Sequence, residues 1–196
     1  VFAMKLVINH LIKRSFNSFK NDFSVSLMKM LDKKPLEDIT VTDIVNDCKV
    51  SRQTFYYHFN DIYTIVGWIY AQETQKAIND HLDINTWMTG CCNLLHWMEE
   101  NRVLIINTHK SINREYTESF MNSVLFDYIY QMVDEQPDAL LVSKNSKEFI
   151  AKYYTLAFNA VALDWIHTGM KESPENITQK IEILFSGSLK NALNNM

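Results

Sequence analysis

The run Ser51-Arg52-Gln53-Thr54-Phe55-Tyr56-Tyr57-His58-Phe59 gathers side chains that can meet the edges of bases and the phosphates between them. Arg and Gln can pair bidentately with guanine or adenine edges, and Thr can offer its methyl to thymine. Tyr and His can touch sugar-phosphate without a high positive charge. On a helix that starts after Ser51, Phe55 falls inward, while Arg52, Gln53, Thr54, Tyr57 and His58 fall on the outer face or at the helix N-terminus. Such a face by itself is usually only solvated surface, so the elements around it decide.

Those elements read as a helix-turn-helix. Thr40 and Thr42 stand before Ile44, Val45 and Cys48, the buried side of a short helix. Ile44, Cys48, Val50 and Phe55 would lock this helix steeply against the next across a short turn. Ser51 is a good N-cap for that next helix. Upstream, Val25, Met28, Leu31 and Leu36 lead to Ile39, with Pro35 closing the first helix. Asn60 or Asp61 caps a fourth, whose inner stripe is Ile62, Ile65, Val66 and Ile69. Periodicity predicts further helices over 86–100, 102–110, 114–135, 146–168 and 174–194.

Composition agrees. The 196 residues are 47% apolar and 12% aromatic, too much for a disordered chain. Only 4 Gly and 3 Pro occur, too few for the turns of a sandwich or barrel, and no Gly-rich phosphate loop is present. The expectation is an all-α chain of about nine helices, with a three-helix DNA-binding head at 20–62, a helical body at 63–196 and an N-terminal extension at 1–19. The extension lacks a small-residue cleavage site and is not read as a signal peptide. Three cysteines, two of them adjacent, offer no disulfide framework. With no long apolar run, a cytoplasmic protein without a membrane partner is expected. The net charge of -4 hides an asymmetry, because residues 1–60 carry +3 and residues 61–196 carry -7. A basic head on an acidic body suits a chain with one end on a polyanion.

Two stretches carry a family resemblance. Thr40-Val41-Thr42-Asp43-Ile44-Val45, followed by Val50-Ser51-Arg52-Gln53-Thr54-Phe55-Tyr56-Tyr57-His58-Phe59, resembles the DNA-binding head of TetR-family regulators, over about residues 20–70. Asp164-Trp165-Ile166-His167-Thr168-Gly169-Met170-Lys171-Glu172-Ser173-Pro174 resembles the branch that regulates dihydroxyacetone kinase operons. The resemblance implies a homodimer on a near-palindromic double-stranded operator, with repression as the family default and an effector acting on the body. It implies phosphate contacts from Thr40, Thr42, Ser51 and Tyr56, and groove reading by Arg52, Gln53, Thr54, Tyr57 and His58. Two departures stand out: Lys49 sits where the turn usually carries Gly, and Ile62 where the fourth helix usually offers Lys.

In the body, the helix from Phe149 to Ile166 is apolar on nearly every face and must be covered on all sides. With the final helix it would build a dimer interface through Phe149, Tyr153, Leu163, Ile166, Ile181, Leu184 and Phe185. Trp87, Trp97, Met98, Tyr116, Met121 and Tyr128 could line an effector pocket, although such a stripe is more often plain core. Cys91, Cys92 and His96, with His81, His109 or His167, invite a metal-sensing alternative. The blander reading, small core cysteines and a packed histidine, is preferred, and no metal or cofactor is assigned. A second alternative is an activator controlled by a partner protein. An enzyme is the remote one, since no nucleophile, base and orienting group fall into a motif.

Overall fold

A computed structural model describes residues 18–78, 86–111 and 114–196. Among these residues there is no strand; nine α-helices and two short 3-10 turns account for the architecture. The described part of α1 covers 18–31, followed by a 3-10 turn at Leu36–Asp38, α2 at Val41–Asp47, α3 at Arg52–His58 and α4 at Ile62–Ile78. Next come α5 at Trp87–Glu100, α6 at Arg102–Lys110, α7 at Arg114–Asp134, a 3-10 turn at Pro137–Leu141, α8 at Lys144–His167 and α9 at Pro174–Asn195. No described helix is long and apolar enough to cross a membrane.

The chain divides into two compact units. One runs through Ile69 and takes in Ile106–Thr117; the other comprises Tyr70–Ile105 and Glu118–Met196. In the first, α1 turns Phe23, Leu27 and Leu31 inward, one residue per turn. Val25, expected on that stripe, is instead exposed, because Phe23 and Leu27 occupy the inner face and buried Ser24 ties its hydroxyl back to the Lys20 carbonyl. Phe23, Phe55 and Phe59 meet with ring centroids 5.3–6.3 Å apart, so aromatic packing sets where α3 lies against α1. Pro35 does not close a helix directly; it opens the 3-10 turn that delivers buried Leu36 and Ile39 to the start of α2.

Of the helix starts, that of α3 is read from its cap, Ser51, and two further serines cap α8 and α9 in the same way. Ser51, Ser143 and Ser173 each accept a backbone N–H from three residues on, and Pro174 fills the first position of α9. The Ser143 cap starts α8 two residues before the predicted 146. Asp61 is the residue that caps α4, its carboxylate accepting the Thr64 N–H at 2.8 Å.

The second unit is built on an apolar cluster of α5, α7, α8 and α9. Trp87 lies at its centre, stacked on Phe158 at 5.4 Å and tilted against Phe185 at 4.1 Å. Tyr154 joins them, its hydroxyl hydrogen-bonded to Ser188 Oγ at 2.7 Å. The turn from α8 to α9 is tightly specified. The Met170 N–H reaches back to the Trp165 carbonyl and the Gly169 N–H to that of Ile166, a Schellman closure that puts Gly169 at φ 88°. Arg102 then donates to the Gly169 carbonyl at 2.9 Å, and the Trp165 indole N–H to the Glu172 carbonyl at 2.8 Å.

Candidate nucleic-acid interface

The helix-turn-helix of α2 and α3 is held together by capping at both starts. Thr40 and Asp43 form a capping box, in which the Thr40 hydroxyl accepts the Asp43 N–H at 3.2 Å and the Asp43 carboxylate accepts the Thr40 N–H at 2.8 Å. Lys34 adds its ammonium to the same carboxylate at 2.8 Å. Lys34 first, and then the Thr40 donors, hold the Asp43 carboxyl down at about 2. Lys29 and Asp47 pair at 2.8 Å, linking α1 to the end of α2.

The turn confirms the reading of Lys49. Val50 N–H bonds to the Val45 carbonyl and Lys49 N–H to that of Asn46, closing α2 with Lys49 at φ 55°. This left-handed conformation suits Gly and costs an ordinary residue roughly 1–2 kcal/mol. Ser51 then accepts the Thr54 N–H at 3.1 Å and shares a hydrogen bond with the Thr54 hydroxyl at 2.9 Å.

The expected face is largely present. Thr40, Ser51, Arg52 and Gln53 are exposed, Thr42 and Thr54 half-buried, and Tyr56 and Tyr57 stand 55% and 76% exposed. Arg52 reaches back across the turn and donates to the Thr42 hydroxyl. His58 is the exception. It is half-buried, with its ring against Phe19 at 5.5 Å and Phe23 at 6.1 Å. Burial, and then nearby Lys20, lowers its pKa. Three residues after buried Phe55, His58 lies on the same side of α3, and its ring packs with the aromatic residues of α1. Ile62 is buried and presents no phosphate donor.

The body candidates divide. Trp87, Met98 and Tyr128 are buried, and the Trp87 ring is covered by Phe158 and Phe185. Burial also raises the pKa of the Tyr128 phenol. Trp97 is half-buried, edge-on to Tyr70 at 5.9 Å, and Met121 is half-buried. The Tyr116 side chain lies outside the described residues, as do His81 and most of the 1–19 extension. Of the interface candidates, Phe149, Tyr153 and Leu184 are exposed at 61%, 61% and 74%, while Leu163 and Ile181 are half-buried. Ile166 and Phe185 are buried within their own unit, a correction to their reading as contact residues. Leu156 and Val161, part of the apolar run of α8, are exposed as well, and with Ile183 they extend the apolar surface of α8 and α9.

His96 is not the packed histidine expected. Its side chain is 43% exposed, and its Nε2 lies 2.7 Å from Glu175 Oε1. Cys91 instead packs against the aromatic core, and burial pushes its thiol up to about 12.

Residues 85–187 match the TetR-type C-terminal family described as "Transcriptional regulator C-terminal region". The HTH-type dhaKLM operon transcriptional activator DhaS of Lactococcus lactis subsp. lactis (strain IL1403) is 26% identical over 167 residues, covering 82% of this chain and 85% of that protein. Among solved structures, the dihydroxyacetone kinase operon activator DhaS superposes with a TM-score of 0.68 at 23% identity, over 88% of this chain and 97% of that one. The TetR family repressor AlkX from Dietzia sp. strain DQ12-45-1b, implicated in n-alkane biodegradation, gives 0.55 at 11%, with the same coverage. At these identities the two superpositions speak for the fold. These relatives are regulators and not enzymes. With more than half its length inside the matched region, the chain belongs to the TetR family of transcriptional regulators.

Proposed function

We propose that the chain acts in the cytoplasm as a homodimer that binds a near-palindromic operator and activates transcription from it. The observation that carries the DNA reading is the α3 face, where Arg52, Gln53 and Tyr57 are exposed on a helix whose start is fixed by the Ser51 cap. Groove reading falls to these three and Thr54; anchoring on phosphate falls to Thr40, Thr42, Ser51 and Tyr56. The head corresponds to 20–62 and the effector and dimerisation body to 63–196, with α4 carrying the chain from one to the other. Two heads related by a two-fold axis would meet successive major grooves about 34–36 Å apart.

The exposed apolar surface of Phe149, Tyr153, Leu156, Ile183 and Leu184 supports the dimer, since a patch of that kind needs cover. Similarity to the activator DhaS favours activation over the repression that is the family default. An effector on the body, a small molecule or a partner protein, would set operator affinity by favouring one of two body conformations.

The test is in-vitro transcription and footprinting on the DNA flanking the gene. Transcript rising with added protein at a protected near-palindrome supports activation. A falling transcript returns the reading to repression, and no protected site removes the operator reading.

A further inference from the structure

Cys92 and His96 lie four residues apart on α5, hence on one face of the helix. The first turn of α9 packs on α5 and supplies a third group from 79 residues away, Glu175, whose Oε1 sits 2.7 Å from His96 Nε2. One ligand atom each from Cys92, His96 and Glu175 falls within 4.8 Å of the others.

We propose that Cys92, His96 and Glu175 form a binding site for a zinc-type divalent cation that fastens the start of α9 to the middle of α5. Thiolate, imidazole and carboxylate together suit zinc rather than magnesium or calcium, which take oxygen ligands. Bonds of about 2.0–2.3 Å in tetrahedral geometry put ligand atoms roughly 3.3–3.6 Å apart. The three groups therefore reach a common ion with small side-chain rotations, the His96–Glu175 hydrogen bond opening by under ~1 Å. Thiolate and carboxylate balance the double charge of the ion, and a water completes the fourth position.

The surroundings fit. Behind the imidazole, Glu99 Oε2 lies 3.9 Å from His96 Nδ1, so that a small rotation would bring this carboxylate to hydrogen-bond the ring and direct Nε2 to the ion. Cys92 is half-buried, while His96 and Glu175 are 43% and 61% exposed at the side chain, so the ion enters from solvent. Binding displaces the thiol proton to solvent and leaves every oxidation state unchanged. Cys91, its neighbour, packs into the core and takes no part. The site stands independently of the operator reading, and its readouts involve no DNA.

The experiment uses the reduced 196-residue chain. Cobalt(II) should bind at about one equivalent per chain with tetrahedral visible bands and a thiolate-to-cobalt charge-transfer band in the near ultraviolet. Zinc should displace it and raise the thermal midpoint. Cys92→Ser should remove the charge-transfer band. His96→Ala and Glu175→Gln should each weaken zinc binding by at least about tenfold and abolish the midpoint shift, with unchanged circular dichroism in the apo form. Cys91→Ser and Cys48→Ser should keep band and affinity. Persistence of the band in Cys92→Ser, no band in the wild-type chain, or zinc affinity untouched in both His96→Ala and Glu175→Gln would overturn the proposal.

Discussion

The guanidinium of Arg52, the first residue of α3, donates to the hydroxyl of Thr42, the second residue of α2. One candidate reader is thus held by one candidate anchor. The Thr42 hydroxyl accepts from Arg52 and keeps its own proton for a phosphate. Thr42→Val should weaken operator and random DNA together, and should also erode the preference for operator. In a double-mutant cycle with Arg52→Ala, the coupling should be about 1 kcal/mol, read by fluorescence anisotropy on both DNAs.

Gln53 and Tyr57 face solvent from the same helix, so Gln53→Ala and Tyr57→Ala should each cost about 1–3 kcal/mol on operator and little on random DNA. His58→Phe should leave the preference intact. Footprinting titrations that show the reverse order would move the reading face to the last turn of α3.

Lys49 adopts φ 55°, so Lys49→Gly should stabilise the chain by roughly 1 kcal/mol in urea denaturation, less what the unfolded chain gains in freedom. Lys49→Ala keeps the strain and removes only the charge. It should leave stability near the wild-type value, which separates backbone from electrostatics.

Because burial against Phe19 and Phe23 lowers the His58 pKa below its ordinary 6.5, the unfolded chain takes the proton more readily than the folded one. Stability from this site is therefore full above 6.5 and falls as pH drops through that value toward the folded-state pKa. The slope should flatten in His58→Phe when unfolding is followed at several pH values. An equal slope in both proteins would assign the effect to other groups.

Leu184 and Phe185 are neighbours with opposite fates, 74% and 1% exposed. Leu184→Glu should leave the fold intact and shift sedimentation to the mass of one chain, weakening operator binding through the loss of paired half-sites. Phe185→Ala should instead cost about 3–5 kcal/mol of stability, since it opens a cavity beside Trp87.

That pair also marks how far sequence reading reaches. The start of α3 is legible because a capping Ser acts locally, as at Ser51. Lys49 was legible because a turn of known shape demands a positive φ. Periodicity identifies the apolar residues of α8 and α9 without telling which side of each helix meets its own core, and Ile166 on α8 and Phe185 on α9 are both packed at home. The packing of His58 on Phe19 and Phe23 is likewise unrecorded by any local spacing, since both lie far along the chain. Glu175 could not be joined to Cys92 and His96 because no local spacing records the packing of α9 on α5.

The four tryptophans give each unit its own optical voice. Trp68 sits in the first unit, edge-on to Phe59 at 6.2 Å and beneath the Lys20 ammonium at 6.0 Å, half open to water. In the second unit, Trp87 and Trp165 are 2% and 3% exposed, and Trp97 is half-buried. A chain keeping only Trp68 should emit at longer wavelength and be quenched by iodide. One keeping only Trp87 should emit blue and resist it. The pair of variants would report whether both units melt together or one outlasts the other.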